Sequence, residues 1–467
     1  MRSSGNACGF DTAFGRIACF YVRSIFLPVS GIRHVDDVSI VSVTIEASGV
    51  RQRRDALNLM ALALIQGSNA LVPLLIFPIA LLRVGAEGFA QIVFAEAVSV
   101  MALIVCIYSY EIQGVIKVAR FGEEPNAERI AGVYSEILFS RLILFGVCAV
   151  ALLTVCLVVN PEMLLMLASF MLVPLGYVLQ STWLYQATEK NAPLSIVCVL
   201  TRAASVLIVY LFLREQSDAL IVPLAIGSGA VACGILSMLY IRFGMGLKIC
   251  KPTRSELANS IRGGRAIFAG NIFVAMYRDS YVLLLGALGM SGVVVSTYAM
   301  AEKLVKCIQA MVRPINQLFF PKTLRTLVDV RQPNVLVLTR VWGLVWPQML
   351  IVFSGALAGL FIYWVYRDHV SILSDMPNRA QIETLVVTML AAVFIGVANF
   401  MYGAVTLNAL HEEYYFSRSL LIAGVAGITA CVSLAPSLGS LGAAIAFVLS
   451  ECVLLAQVLL RFGWSSR

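Results

Sequence analysis

From residue 51 onward, apolar stretches of roughly 20 residues, the length a helix needs to cross hydrocarbon, recur twelve times between short polar connections. They predict spans near 57–79, 89–113, 134–159, 163–185, 194–213, 220–241, 266–289, 293–320, 338–366, 384–407, 417–436 and 440–461. Runs of this length exclude barrel strands, which alternate over about ten residues. One stretch departs from the pattern. Residues 298–321 are long enough to span, yet carry Glu302, Lys303, Lys306, Gln309, Arg313, Asn316 and Gln317. At 3.6 residues per turn, Glu302, Lys306, Gln309, Arg313 and Asn316/Gln317 fall on one stripe, with Lys303 about 100° away from it. Lipid cannot solvate such a stripe, so it must face protein or water.

The predicted fold is an all-α integral membrane protein of about twelve transmembrane helices, in two parallel six-helix halves around a central cavity. The longest basic connection, 242–265, separates an N-terminal half (51–241) from a C-terminal half (266–467). The halves echo each other. GFAQIVFAEA (88–97) and GVVVSTYAMAEK (292–303) each open on Gly, place an aromatic-Ala pair next (Phe94-Ala95, Tyr298-Ala299) and follow it with Glu96 or Glu302. Both halves start on the same side, which makes a repeat about an axis along the membrane normal; in such transporters the site lies between repeats near the midplane. Residues 1–50 stand apart. Their one apolar patch, 17–29, is interrupted by Arg23 and is too short to span, so they read as a poorly ordered cytoplasmic extension, or as an upstream start outside the working fold.

Composition agrees with the pattern: 60% of the 467 residues are hydrophobic and 13% charged, against about 25% charged in soluble domains, and mean hydropathy is +0.88. The net charge of +8 therefore reads as loop charge beside a membrane, with no nucleic-acid partner implied. Twenty Lys and Arg fall in one set of connections and four (Arg83, Arg214, Arg367, Arg379) in the other. Positive charge collects on the cytoplasmic side, so both termini are expected there. The eleven cysteines are scattered, with no CxxC, and the histidines are only His34, His369 and His411. No metal site, cofactor or catalytic residue is expected. No GxxxxGK[ST] loop appears, which excludes a self-contained ATP pump.

Ionisable residues at membrane depth are functional candidates. Arg202, Arg278, Lys303 and Lys306 are basic groups near mid-depth on helices of both halves that outnumber their local acidic partners, a combination suited to a phosphate or pyrophosphate; Glu451 stands mid-helix in span 12. Glu96, Asp279 and Glu302 are candidates for ion coupling; Glu302 and Lys306 also have the i,i+4 spacing of an ion pair. Arg141, Arg313 and Glu111 stand near interfaces and are expected to snorkel.

Two blocks carry a family likeness. Residues 58–97 contain Gln66, Gly67, Asn69, Pro73, Leu74, Arg83, Val84, Gly85 and Phe89, with Ala90 where Gly is usual; residues 270–323 contain Tyr298-Ala299, Ala301-Glu302-Lys303, Pro314-Ile315 and Phe320-Pro321. In these the chain resembles O-antigen and polysaccharide flippases (Wzx-type) of the multidrug/oligosaccharidyl-lipid/polysaccharide superfamily. The resemblance implies a bacterial inner-membrane transporter without enzymatic activity. Such a protein moves undecaprenyl-pyrophosphate-linked oligosaccharide repeat units to the periplasmic leaflet by ion-coupled alternating access, for O-antigen, exopolysaccharide or capsule. Lipid-linked oligosaccharide, membrane lipids, a polysaccharide polymerase and a chain-length regulator would be its partners. Two alternatives remain at this point: a multidrug or cation exporter of the same superfamily, which would favour an acidic, aromatic cavity, and a membrane polysaccharide polymerase, for which the longest external loop, about 367–383, offers no recognisable catalytic motif.

Overall fold

The computed structural model describes residues 38–121, 126–330, 332–369 and 374–464. All twelve predicted spans coincide with helices. Spans 1 and 2 form one bent stretch, Val38–Ile107, and span 2 continues as Tyr110–Ala119. The others follow in order: Ala127–Val159, Pro161–Ala187, Asn191–Phe212 and Gln216–Gly244 as spans 3–6; Arg254–Arg278 with Tyr281–Ala287 as span 7, and Gly292–Thr326 as span 8; then Val335–Tyr366, Arg379–Leu407, Glu413–Leu438 and Ser440–Trp464 as spans 9–12. Among the described residues, nine helices are long and apolar enough to cross a membrane. The first of these holds spans 1 and 2; the two not among them are span 7, whose apolar helix Ile267–Arg278 is too short, and span 8, which carries the charged stripe. Residues 1–37 lie outside the described residues, and the part of 1–50 that is described, from Val38 on, is helical. The 242–265 connection is helical from Arg254. Thr253 caps that helix by accepting from the Glu256 N–H (3.3 Å), while the Thr253 N–H donates to the Glu256 carboxylate (2.7 Å), a capping box that lowers the Glu256 pKa.

Between spans 1 and 2 the chain reverses at Gly85, whose φ of 76° and ψ of 175° belong to a region essentially reserved for glycine. Just before it, the Arg83 guanidinium donates to the carbonyls of Tyr210 and Leu213. These are end carbonyls of span 5 with no helical partner, and a cation suits that end of a helix. Gly85→Ala is expected to cost about 1–3 kcal/mol, read as a lower unfolding midpoint of the purified protein; an unchanged midpoint would show that the turn tolerates a Cβ.

The apolar side chains gather into three cores. One joins both halves at the end away from the basic connections, where Phe77, Phe89 and Val93 of spans 1 and 2 pack with Tyr281, Val295 and Phe447 of spans 7, 8 and 12. At the basic end each half has its own core: Tyr110, Tyr134 and Trp183 in the first half, Val341, Met401 and Phe462 in the second. The halves therefore meet closely at one end and diverge towards the other. At the basic end they still touch along one side, through spans 2 and 7. Span 2 breaks at Tyr108 (φ 54°), and the break frees backbone groups that need partners. Asn271 Nδ2 donates to the Tyr108 carbonyl (2.8 Å), Tyr108 OH donates to the Ile261 carbonyl (3.0 Å), and the Tyr108 ring stacks on Phe268 with centroids 4.3 Å apart. On the other side, Leu57, Met60 and Leu64 of span 1 and Met311 and Leu318 of span 8 are exposed.

At the opposite end the hairpin between spans 9 and 10 is pinned by Arg379, which donates to Asp368 (2.8 Å) and Glu383 (3.0 Å). The Arg379 hydrogen bond holds the Asp368 carboxyl below its ordinary pKa.

Candidate functional site

The first part of the polar stripe of span 8, from Glu302 to Gln309, does not face open space, whereas Arg313 and Gln317 further along are exposed. The first part packs against span 7 where that span is interrupted. Helix Arg254–Arg278 ends, Asp279 leaves helical geometry (φ −124°, ψ 2°), and helix resumes at Tyr281. Arg278 sits at a helix C-terminus, where a cation is favoured, and its Nη2 donates to Gln309 Oε1 at 2.8 Å. Lys306 Nζ donates to Asp279 Oδ1 (2.7 Å) and forms the i,i+4 ion pair with Glu302 Oε1 (2.9 Å). Lys303, a third of a turn away, turns to the other half of the molecule. Its Nζ lies 2.7 and 2.6 Å from the two carboxylate oxygens of Glu96 on span 2, and 5.0 Å from the centre of the Phe77 ring on span 1. Deeper in the second half, Asn399 Nδ2 donates to Glu451 Oε2 of span 12 at 2.6 Å. Asn399 opens a π-helical stretch, Asn399–Leu407, in span 10, a local widening often found at functional positions.

These contacts revise the charge count. Arg278, Lys303 and Lys306 do not outnumber acidic groups, because Glu96, Asp279, Glu302 and Glu451 all lie among them. Glu96 and Glu451 come from spans 2 and 12, and only the fold brings Glu96 onto Lys303 and Glu451 to the same half. Arg313 is exposed and, among the described residues, has no carboxylate within ion-pair distance, as a snorkelling side chain would. Arg141 and Glu111 are a correction. The Arg141 side chain is 0% exposed and its Nη2 meets Glu111 Oε1 at 2.7 Å, so this arginine is a buried structural partner and reaches no interface.

Arg202 stands apart from this cluster. It is buried in the first half, its Nε donating to Asn69 Oδ1 and its Nη2 to Tyr177 OH, both at 3.2 Å, with the guanidinium 5.6 Å from the Tyr177 ring centre. Among the described residues it has no carboxylate partner. The four basic candidates are thus divided, Arg202 in the first half and Arg278, Lys303 and Lys306 in the second. Two neutral partners were missed at the level of sequence. Asn69 stood in the Gln66-Gly67-x-Asn69 block and was open to recognition; Tyr177, in a plain apolar stretch, had no signal.

With this geometry in hand, comparison with known proteins is informative. A family model described as "Polysaccharide biosynthesis protein" matches residues 56–326, more than half of the chain. The chain belongs to this polysaccharide biosynthesis family. Among its relatives is a protein of Escherichia coli (strain K12) named "Putative O-antigen transporter", 22% identical over 409 residues, covering 86% of this chain and 95% of that one. A protein of the same name from Shigella dysenteriae is 24% identical over 269 residues, 57% of this chain and 66% of its own length. Among solved structures, the inward-facing conformation of a multidrug resistance MATE family transporter of the MOP superfamily matches with a TM-score of 0.62 at 13% identity, covering 85% of this chain and 94% of that one. A MATE structure in complex with MaL6 gives 0.53 at 12% identity, covering 88% and 95%. The fold is thus that of these MATE transporters, and the apolar helices make this family member a multi-pass membrane protein. The family match takes in both quoted blocks and ends at the last residue of span 8.

Proposed function

We propose that this polysaccharide biosynthesis protein carries undecaprenyl-diphosphate-linked oligosaccharide repeat units across the bacterial inner membrane by alternating access coupled to an ion gradient. The observation that carries the reading is Arg202: a cation buried at membrane depth, held by Asn69 and Tyr177, with no carboxylate among the described residues to neutralise it. Such a group calls for an anion, and the diphosphate of a lipid carrier is one. Arg278, bonded to neutral Gln309, is the second binding group. Lys303 and Lys306 join only if the ligand replaces a carboxylate. Glu96, Asp279 and Glu302 remain the ion-coupling candidates. The excess of basic residues at the divergent end supports a cytoplasmic placing of that end and of both termini, so the cleft would receive its cargo from the cytoplasmic leaflet. A polymerase and a chain-length regulator would take the product onward.

The test is flipping of a labelled polyprenyl-diphosphate saccharide by purified protein in vesicles. Arg202→Gln is expected to lower the rate by about tenfold or more, the worth of a hydrogen bond to a charged group, with the protein level unchanged, and Arg202→Lys to recover only part of it. An unchanged rate in Arg202→Gln would sink the assignment. A second reading, export of organic cations, draws on the four carboxylates of the second half and its border. A labelled lipophilic cation in the same vesicles decides between the two.

A further inference from the structure

Among the described residues, Glu96–Lys303 is the one salt bridge that joins the two halves. The other ion pairs among the described residues, such as Lys117–Glu136 and Glu111–Arg141 in the first half and Asp279–Lys306–Glu302 in the second, are internal to a half. The cross-half pair also has a particular position. Its flanking residues, Ala95 on one helix and Ala301 on the other, belong to the core that closes the end away from the basic connections. The pair itself keeps side-chain exposures of 15% and 14%, so it is not sealed within that core.

We propose that Glu96 and Lys303 form a latch that holds this end shut, and that the anionic headgroup of the cargo releases it by taking the place of Glu96 on Lys303. The inference rests on the diphosphate reading above and adds to it a requirement for the anion in the conformational change itself. A salt bridge between two bodies favours the state in which they touch. A ligand shifts that balance only by binding one state better than the other. A diphosphate supplies such a difference, since it can pair with Lys303 as a strong charge-assisted acceptor while freeing span 2 from span 8. A neutral ligand of the same shape has no means of displacing a carboxylate. Glu96 then acts as a specificity residue: it denies the opening step to lipids without a charged headgroup, a form of selection by a competing contact. Phe77 beside the ammonium keeps that site favourable to a cation whichever anion occupies it.

The experiment measures the distance between spin labels carried on p-acetylphenylalanine at positions 217 and 437, in lipid nanodiscs. Ser217 and Ser437 are exposed, lie on opposite halves and stand at the closed end, and this chemistry leaves the native cysteines alone. In the unliganded wild type the longer, open distance is expected in roughly 10% of molecules or fewer. Geranylgeranyl diphosphate should raise it, and geranylgeraniol should not. Glu96→Gln and Lys303→Gln should each raise it to about half without ligand, as a tenfold shift of such a ratio requires. The exchange of both charges, Glu96→Lys with Lys303→Glu, should restore the closed distance, which also controls for misfolding of the single variants. Glu96→Gln with wild-type distances, or an equal response to the alcohol and the diphosphate, overturns the latch. Failure of wild-type protein to flip the labelled saccharide overturns the cargo reading instead, and is scored in a separate assay.

Discussion

Replacing Glu111 with leucine is expected to destabilise the protein by about 3–5 kcal/mol, because it strands the fully buried Arg141 guanidinium without a counter-charge. Arg141 Nε and Nη1 already lack hydrogen-bond partners among the described residues, so Glu111 on Nη2 is the contact that makes its burial tolerable. The Tyr110 ring, 5.8 Å from the guanidinium, is too weak an acceptor to replace it. The measurement is the unfolding midpoint of the purified protein, with the amount in the membrane as a second readout. The double variant Glu111→Leu with Arg141→Met should recover most of the loss, since removing both charges costs far less than removing one. A double variant as unstable as the single one would show that the two residues do not act as a pair.

The second large effect is expected at Lys306. Lys306→Met leaves Asp279 and Glu302 with no ammonium between them, and two carboxylates then face each other across the interruption in span 7. Glu302 is the more consequential of the two, because its side chain is only 4% exposed whereas those of Asp279 and Lys306 are 28% and 33% exposed. Partial access of water to Asp279 and Lys306 weakens that half of the triad, so a loss of about 2–3 kcal/mol is expected, below the range for a fully buried pair. The same variant should abolish flipping in vesicles even at temperatures where it remains folded, because span 7 loses its ionic tie to span 8 and keeps only the Arg278–Gln309 hydrogen bond. Adding Asp279→Asn and Glu302→Gln is expected to restore the unfolding midpoint. If the triple variant also restores full flipping, the triad is structural and carries no coupling role.

The contrast between these pairs shows what was legible in the sequence. Apolar length alone gave the twelve helices, and the glycine in Arg83-Val84-Gly85 marked the reversal between spans 1 and 2, because both signals are local. The i,i+4 pair of Glu302 and Lys306 was legible for the same reason. The rotation of Lys303 away from the stripe was also legible, as a matter of helix geometry. What it faces was not, since Glu96 is 207 residues distant in the chain. The interruptions at Tyr108 and at Asp279 had no proline or glycine to announce them. They are held by tertiary contacts, Asn271 in one case and Lys306 in the other, that no window of sequence contains. Arg141 was misjudged because its place in the first turns of a span suggested an interface, whereas the packing of span 3 against Tyr110–Ala119 covers that turn completely.

The contacts of spans 2 and 7 at both ends have one more consequence. Phe94 fills the space where a Cβ on Gly286 would stand, and Tyr108 stacks on Phe268 at the far end, so the two helices run together like the spine of a book. At the basic end the pages part on the fore-edge, between spans 1 and 8, where Leu57, Met60, Leu64, Met311 and Leu318 lie exposed, a surface suited to lipid. A molecule with a long hydrocarbon tail and a water-loving head can then present its head to the interior while its tail never leaves the lipid. The hydrophobic cost of extracting a tail of many methylenes, about 0.8 kcal/mol for each one, does not arise.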